Sequence, residues 1–189
     1  LKVIKLMIIR NIINSTLIAF VILMLFYSDA YTQTGPGGVG NSSSNILWLK
    51  ADEITGLNDN DPLTTWSDFS GNGKNLTQAT AAYKPIYKTS EINGKPIIRF
   101  DGNNDYLIRN PFTGFATSAI TEIFVNKNIE SNDALISYAS TGSDNDFLIF
   151  NSSAVNMYRG VNVATTTAIN NNNFNNCLIR WQSTGGTTR

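Results

Sequence analysis

Few residues of this chain are equipped for chemistry, and their types narrow what that chemistry can be. Its 189 residues include no histidine and one cysteine, Cys177. Histidine-based triads, histidine general bases and histidine-containing zinc sites are therefore excluded, as are an intrachain disulfide and an all-cysteine metal cluster. Cys177 lies in the apolar run Cys177-Leu178-Ile179, where a buried structural thiol is expected, since no base stands ready to activate it. Carboxylates and side-chain amides remain. Asp68-Phe69-Ser70-Gly71-Asn72-Gly73 places oxygens at alternate positions before a glycine, as the first half of an EF-hand loop does for Ca²⁺. The closing ligand of such a loop would fall on Ala79, which has no oxygen to give, so this is not an EF-hand. Asp68, Ser70 and Asn72 can form half of a calcium site completed from a distant segment by Asp101 or Asp105. The simpler reading, which the residues favour, is that Asp68 and Asn72 hold a tight turn through local side-chain-to-backbone bonds.

Asn58-Asp59-Asn60-Asp61 and Asp144-Asn145-Asp146 are the other acidic groups. Both stand among turn formers and read first as solvated loops. As rim loops they are also candidates for glycan or cation binding, with Asp144 and Asp146 the candidate ligand contacts. Trp48 and Trp181 lie in apolar runs and are expected in the core. Trp66, in a loop-like stretch, is the better candidate for exposure and for stacking on a sugar ring, although large aromatics are more commonly buried. The Asn-x-Ser/Thr sequons at Asn41, Asn75 and Asn151 carry little weight in so Asn- and Ser-rich a chain.

These groups need a scaffold, and the composition indicates its kind. Apolar residues make up 42% of the chain and charged residues only 15%, with Asn, Ser, Thr and Gly filling the difference. That mixture suits short strands joined by many turns. Strands are expected at Ile46–Leu49, Pro96–Phe100, Tyr106–Ile108, Ile120–Val125 and Ala134–Tyr138. Further strands are expected at Phe147–Phe150, Val155–Tyr158, Val161–Ala168 and Cys177–Trp181. Turn chemistry separates them at Gly71-Asn72-Gly73, Asn93-Gly94, Gly102-Asn103-Asn104 and Gly142-Ser143-Asp144. The Asn-rich segment 170–176 reads as a hairpin loop. No long 3.6-residue apolar period follows residue 31. The expectation is one all-β domain, a sandwich, jelly roll or barrel.

The N-terminus reads as an address. Lys2, Lys5 and Arg10 precede the unbroken apolar stretch Leu17–Tyr27, and Ser28-Asp29-Ala30 offers small residues for a signal peptidase. Residues 1–30 are thus expected to be a signal-peptide helix cleaved after Ala30; an uncleaved anchor is the alternative, because Val3–Ile9 is, Lys5 apart, also apolar. Residues 31–44, rich in Gly, Ser and Thr, read as a flexible leader. The 14 basic and 14 acidic residues cancel, and the address holds three of the former. With no basic run in the remainder, nucleic acid is not expected as a partner. Nor is a membrane, once the signal peptide is removed.

Three segments, taken in order, carry a resemblance. They are Ile46-Leu47-Trp48-Leu49-Lys50-Ala51-Asp52, Thr65-Trp66-Ser67-Asp68-Phe69-Ser70-Gly71-Asn72-Gly73, and Lys95–Gly102 with Asp105-Tyr106-Leu107. Together they resemble the opening half of the laminin-G-like, concanavalin A-like lectin and glucanase domains of large secreted bacterial surface proteins. The leader Thr34–Gly40 looks like the segment preceding such domains in cargo of the type IX secretion system. The resemblance implies a jelly roll of two packed antiparallel sheets over residues 45–189, often with a glycan or calcium site at its rim. It also implies further strands after Cys177–Trp181, so the domain is expected to be incomplete at its C-terminus. Glucanases of this fold carry their catalytic carboxylates on one strand face in a Glu-x-Asp-x-(x)-Glu pattern. Retaining enzymes hold such a pair about 5–5.5 Å apart. Glu122 is the one glutamate in a clear strand, and Phe124 and Asn126 share its face, so no catalysis is expected. The resulting expectation is a secreted or cell-surface module that binds glycan or contributes to adhesion, with Ca²⁺ as the conceivable cofactor. A structural spacer is the alternative, and a glycan hydrolase a more distant one.

Overall fold

A computed structural model describes residues 35–127, 133–141, 143–151, 155–159, 162–165 and 172–183. The expected signal-peptide helix and the last six residues lie outside these. Among the described residues the protein is built of antiparallel strands with three short 3₁₀ turns. Strands β1 (Thr65–Trp66) and β2 (Leu76–Thr77) form one small pair. Strands β3 (Ile86–Ile92) and β4 (Lys95–Arg99) form a hairpin. Asn93 and Gly94 both have positive φ, 50° and 73°. Such a pair closes a two-residue hairpin with the twist that antiparallel strands require, so this turn is as expected.

The larger part is two sheets. Strands β6 (Asp133–Ser140), β7 (Ser143–Asn151), β8 (Val155–Tyr158) and β9 (Asn162–Thr165) run as a four-stranded meander. Strand β5 (Ala119–Asn126) pairs instead with β10 (Asn175–Gln182), full length, from Ala119–Gln182 to Asn126–Asn175. Phe147 and Ile149 of β7, Met157 of β8 and Ile179 of β10 are buried in one cluster. Ile120, Phe124, Leu135, Tyr138, Cys177 and Trp181 close around it. The two sheets thus meet through an apolar layer. Phe115, just before β5, stacks on Tyr138 at 4.0 Å and 6° and meets Phe147 at 5.5 Å. Phe112 joins this group, and Lys74 of the preceding segment sits 4.7 Å from the centre of its ring. Aromatic pairs of this kind contribute about 0.5–1.5 kcal/mol each beyond their buried area.

Several expectations need correction. Ile46–Leu49 and Tyr106–Ile108 are not strands; each makes one isolated bridge, Leu49 with Asp68 and Ile108 with Thr77. Strand β3 has no expected counterpart, because Lys88, Thr89, Ser90 and Glu91 mask its apolar content and Ser90, at φ 57°, interrupts the ladder near its end. Ser143 and Asp144 belong to β7, not to a turn. The Asn-rich segment does not join paired strands: β9 and β10 belong to different sheets, and Asn175 and Asn176 start β10, while Asn170 and Asn171 lie outside the described residues. Of residues 35–44, expected to be flexible, Ser42 is held through its carbonyl by Asn72 as described below.

The strand β5 alternates cleanly, with Ile120, Glu122, Phe124 and Asn126 inward and Thr121, Ile123 and Val125 outward. Its outward face is nevertheless apolar. Ile123, 69% exposed, stands opposite Leu178 of β10, 59% exposed.

Candidate functional site

The aspartate in the Trp-x-Asp-x-Ser-Gly segment accepts four hydrogen bonds. Asp68 Oδ1 accepts from the backbone N–H of Trp48 at 3.0 Å and of Ser70 at 2.8 Å. Its Oδ2 accepts from the Lys74 N–H at 2.9 Å and the Ser70 hydroxyl at 2.8 Å. The Asp68 N–H is itself taken by Asn75 Oδ1. Burial works against the charge on Asp68, but the N–H donors of Trp48, Lys74 and Ser70 outweigh it and hold the carboxyl below its ordinary range. Asn72 completes the knot. Its amide nitrogen donates to the carbonyls of Ser42, Asn45 and Ile46 and to Ser70 Oγ, at 2.9–3.3 Å. Three carbonyls facing one side-chain atom fix that atom as the nitrogen. Gly73, at φ 64°, supplies the left-handed backbone that turns Lys74 back towards Asp68. The knot ties the leader to the loop through residues 20 to 30 positions apart.

Asp101 and Asp105, read as possible partners of that loop, form a separate turn. Asp101 Oδ1 accepts from the N–H groups of Asn103, Asn104 and Asp105, and Asp105 Oδ2 accepts from the Asp101 N–H. These donors lower the pKa of Asp101, whereas burial and the charge of Asp101 raise that of Asp105. Among the described residues no hydrogen bond joins Asp101 or Asp105 to Asp68, Ser70 or Asn72.

The turn ends on Tyr106, whose ring lies 5.8 Å from that of Tyr83 at an inclination of 32°. The Tyr106 N–H donates to the Tyr83 carbonyl at 3.1 Å. Gln78, buried, donates its side-chain amide to the Tyr106 carbonyl and accepts from the Thr80 N–H. Thr77 and Ile108 exchange both backbone bonds below. Two fixed segments therefore present two aromatic rings that remain 38% and 47% exposed. Sequence reading missed this pair, because Tyr83 and Tyr106 are far apart in the chain and Tyr106 read as part of a strand.

The remaining candidates lie elsewhere. Trp66 is half-buried in β1, and its indole N–H is buried without a hydrogen-bond partner. Asp144 and Asp146 belong to β7. Trp48 is half-buried and meets Phe69 edge-on at 6.5 Å, with the Lys50 ammonium 5.0 Å from its ring centre. Trp181 packs against the core, with the Arg159 guanidinium 4.6 Å from its ring centre. The Asn58–Asp61 cluster holds local structure: Asp61 caps Asn58, and Asp59 pairs with Lys88 at 2.7 Å and accepts from the Thr89 N–H. Cys177 is free, and its thiol donates to Asn126 Oδ1 at 3.6 Å. Glu122 faces inward with Phe124 and Asn126 beside it on β5. No group of three or more Cys, Asp or Glu side chains arranged to hold a metal ion occurs among the described residues. Comparison of the chain with protein families, curated proteins and solved structures finds no significant match in any of the three.

Proposed function

We propose that this chain is a secreted or cell-surface, non-catalytic jelly-roll module that binds carbohydrate or contributes to adhesion. The observation that carries the reading is the Tyr83–Tyr106 pair, two half-exposed rings held in place by backbone bonds beside the Asp101–Asp105 turn. Aromatic faces with nearby polar groups are the usual ingredients of a sugar site. The return of β10 to pair with β5, after a four-strand excursion into the other sheet, supports the jelly-roll connectivity. The N-terminal address supports export.

A glycan array probed with the chain tests the reading. Binding is expected, and Tyr106→Ala is expected to weaken it about tenfold, the equivalent of about 1.4 kcal/mol. Absence of binding to any glycan would sink the proposal.

A structural spacer is the second reading, favoured by the knot around Asp68. Both carboxylate oxygens there already take two donors each. A calcium ion would have to replace some of them, and Asn72 turns a nitrogen, not an oxygen, into the loop. Asn72→Asp separates the cases. In chelator it is expected to lose about 1–3 kcal/mol, because a carboxylate oxygen then faces backbone carbonyls. Excess calcium is expected to reverse that loss if a cation can enter the loop, by about 2.7 kcal/mol at a hundredfold excess over Kd. Identical unfolding midpoints in calcium and chelator would leave Asp68 and Asn72 as turn-holding residues.

A further inference from the structure

The inward face of β5 carries an acid, Glu122, one of whose carboxyl oxygens is buried without a hydrogen-bond partner. Glu122 lies between Ile120 and Phe124 on that face, opposite Ile179 of β10, with Cys177 and Trp181 on either side of Ile179. Phe147, Ile149 and Met157 of the facing sheet complete the same layer. Its Oε2 is buried and has no hydrogen-bond partner. Among the described residues, the titratable and charged groups turned into this layer are Cys177 of β10, Tyr138 of β6 and Arg159 after β8. The Cys177 thiol is directed to Asn126 Oδ1. Arg159 lies over Trp181 and Phe115 and gives Nη2 to the carbonyls of Ala116 and Thr117. Neither forms an ion pair with Glu122. Arg180 of β10 is exposed and on the outward face.

We propose that Glu122 makes the docking of the β5–β10 ribbon on the four-stranded sheet pH-dependent, tight when Glu122 is protonated and looser once it ionises. A carboxylic acid is tolerated in an apolar layer far better than an unpaired carboxylate. Burial raises the Glu122 pKa from 4.5 to about 7. The folded state therefore holds this proton more tightly than the unfolded chain does. The stabilisation is complete below the unfolded value, declines as pH rises through 7, and is flat above. Burial raises the Cys177 thiol from 9.0, away from this window. Asp105 is also raised, so a variant is needed to isolate Glu122.

The test is hydrogen exchange of the full chain, with protection factors for β5 and β10 amides at pH 5 and pH 8 in wild type and Glu122→Gln. Wild-type protection is expected to fall roughly fifty- to a hundredfold over that range, while the variant changes by no more than about threefold. Parallel profiles in the two proteins, or no fall in the wild type, would overturn the proposal. If the variant does not fold, the ¹³C chemical shift of the Glu122 carboxyl in the wild type decides. A titration midpoint near 7 supports the proposal, and one below about 5 overturns it.

Discussion

Asp68→Ala is expected to lower the free energy of unfolding by about 3 kcal/mol, read as a lower urea midpoint at unchanged slope. The alanine leaves the N–H groups of Trp48, Ser70 and Lys74 without the acceptor they share. Hydrogen bonds to a charged group contribute about 1.5–3 kcal/mol each, but these three are not additive and water can reach part of the loop, so the figure is discounted. Asp68→Asn, which keeps the shape and one acceptor oxygen, is expected to lose about half as much. The pH dependence gives a second readout. The folded pKa of Asp68 is depressed, so its stabilisation is present above the unfolded value of about 3.9 and is lost as pH falls through the lower folded value. Asp68→Asn is expected to remove that part of the acid limb. A loss under about 1 kcal/mol for the alanine variant would show that Asn72, not Asp68, holds the segment 42–48 to the loop.

Phe147→Ala is expected to be the most damaging core substitution, at about 4 kcal/mol. Phe147 is fully buried on β7, which is paired on both sides by β6 and β8. It touches Phe115 from the segment before β5 and lies in the layer where the two sheets meet. Truncation opens a cavity bounded by two sheets, which cannot both relax into it. In a chain of this length the loss corresponds to a fall in melting temperature of roughly 10 °C. Phe147→Leu keeps most of the volume and is expected to cost about 1–1.5 kcal/mol. Scanning calorimetry distinguishes the two. Equal losses for Ala and Leu would mean that ring packing against Phe115, not volume, is what the site requires.

Much of the second half was legible without coordinates. Ile120–Val125, Ala134–Tyr138, Phe147–Phe150, Val155–Tyr158 and Cys177–Trp181 all lie within strands. Alternation and β-branched content are properties of neighbouring residues, and so is the hairpin turn at Asn93-Gly94. The first half was read less well, because its order comes from isolated bridges and side-chain bonds, which leave no periodic trace. Ile46–Leu49 looked like a strand by composition, yet Trp48 is placed by a carboxylate twenty residues later. The leader looked flexible by composition, yet the Asn72 amide binds the Ser42 carbonyl at its end together with the carbonyl of Asn45 just after it.

The same division runs through the candidate sites. The sequence by itself determined the absence of histidine chemistry, the all-β character and the alternation that puts Glu122 on a face with Phe124 and Asn126. Each follows from residue identity or from a period of two along one strand. Only the tertiary structure decided that Asp68 and Asn72 form one knot while Asp101 and Asp105 form another turn. It also decided that Tyr83 meets Tyr106 and that Glu122 Oε2 is buried without a hydrogen-bond partner. These outcomes depend on which segments the folded chain sets side by side. Contacts across 20 or more residues are selected by the packing of whole sheets, which no local pattern encodes.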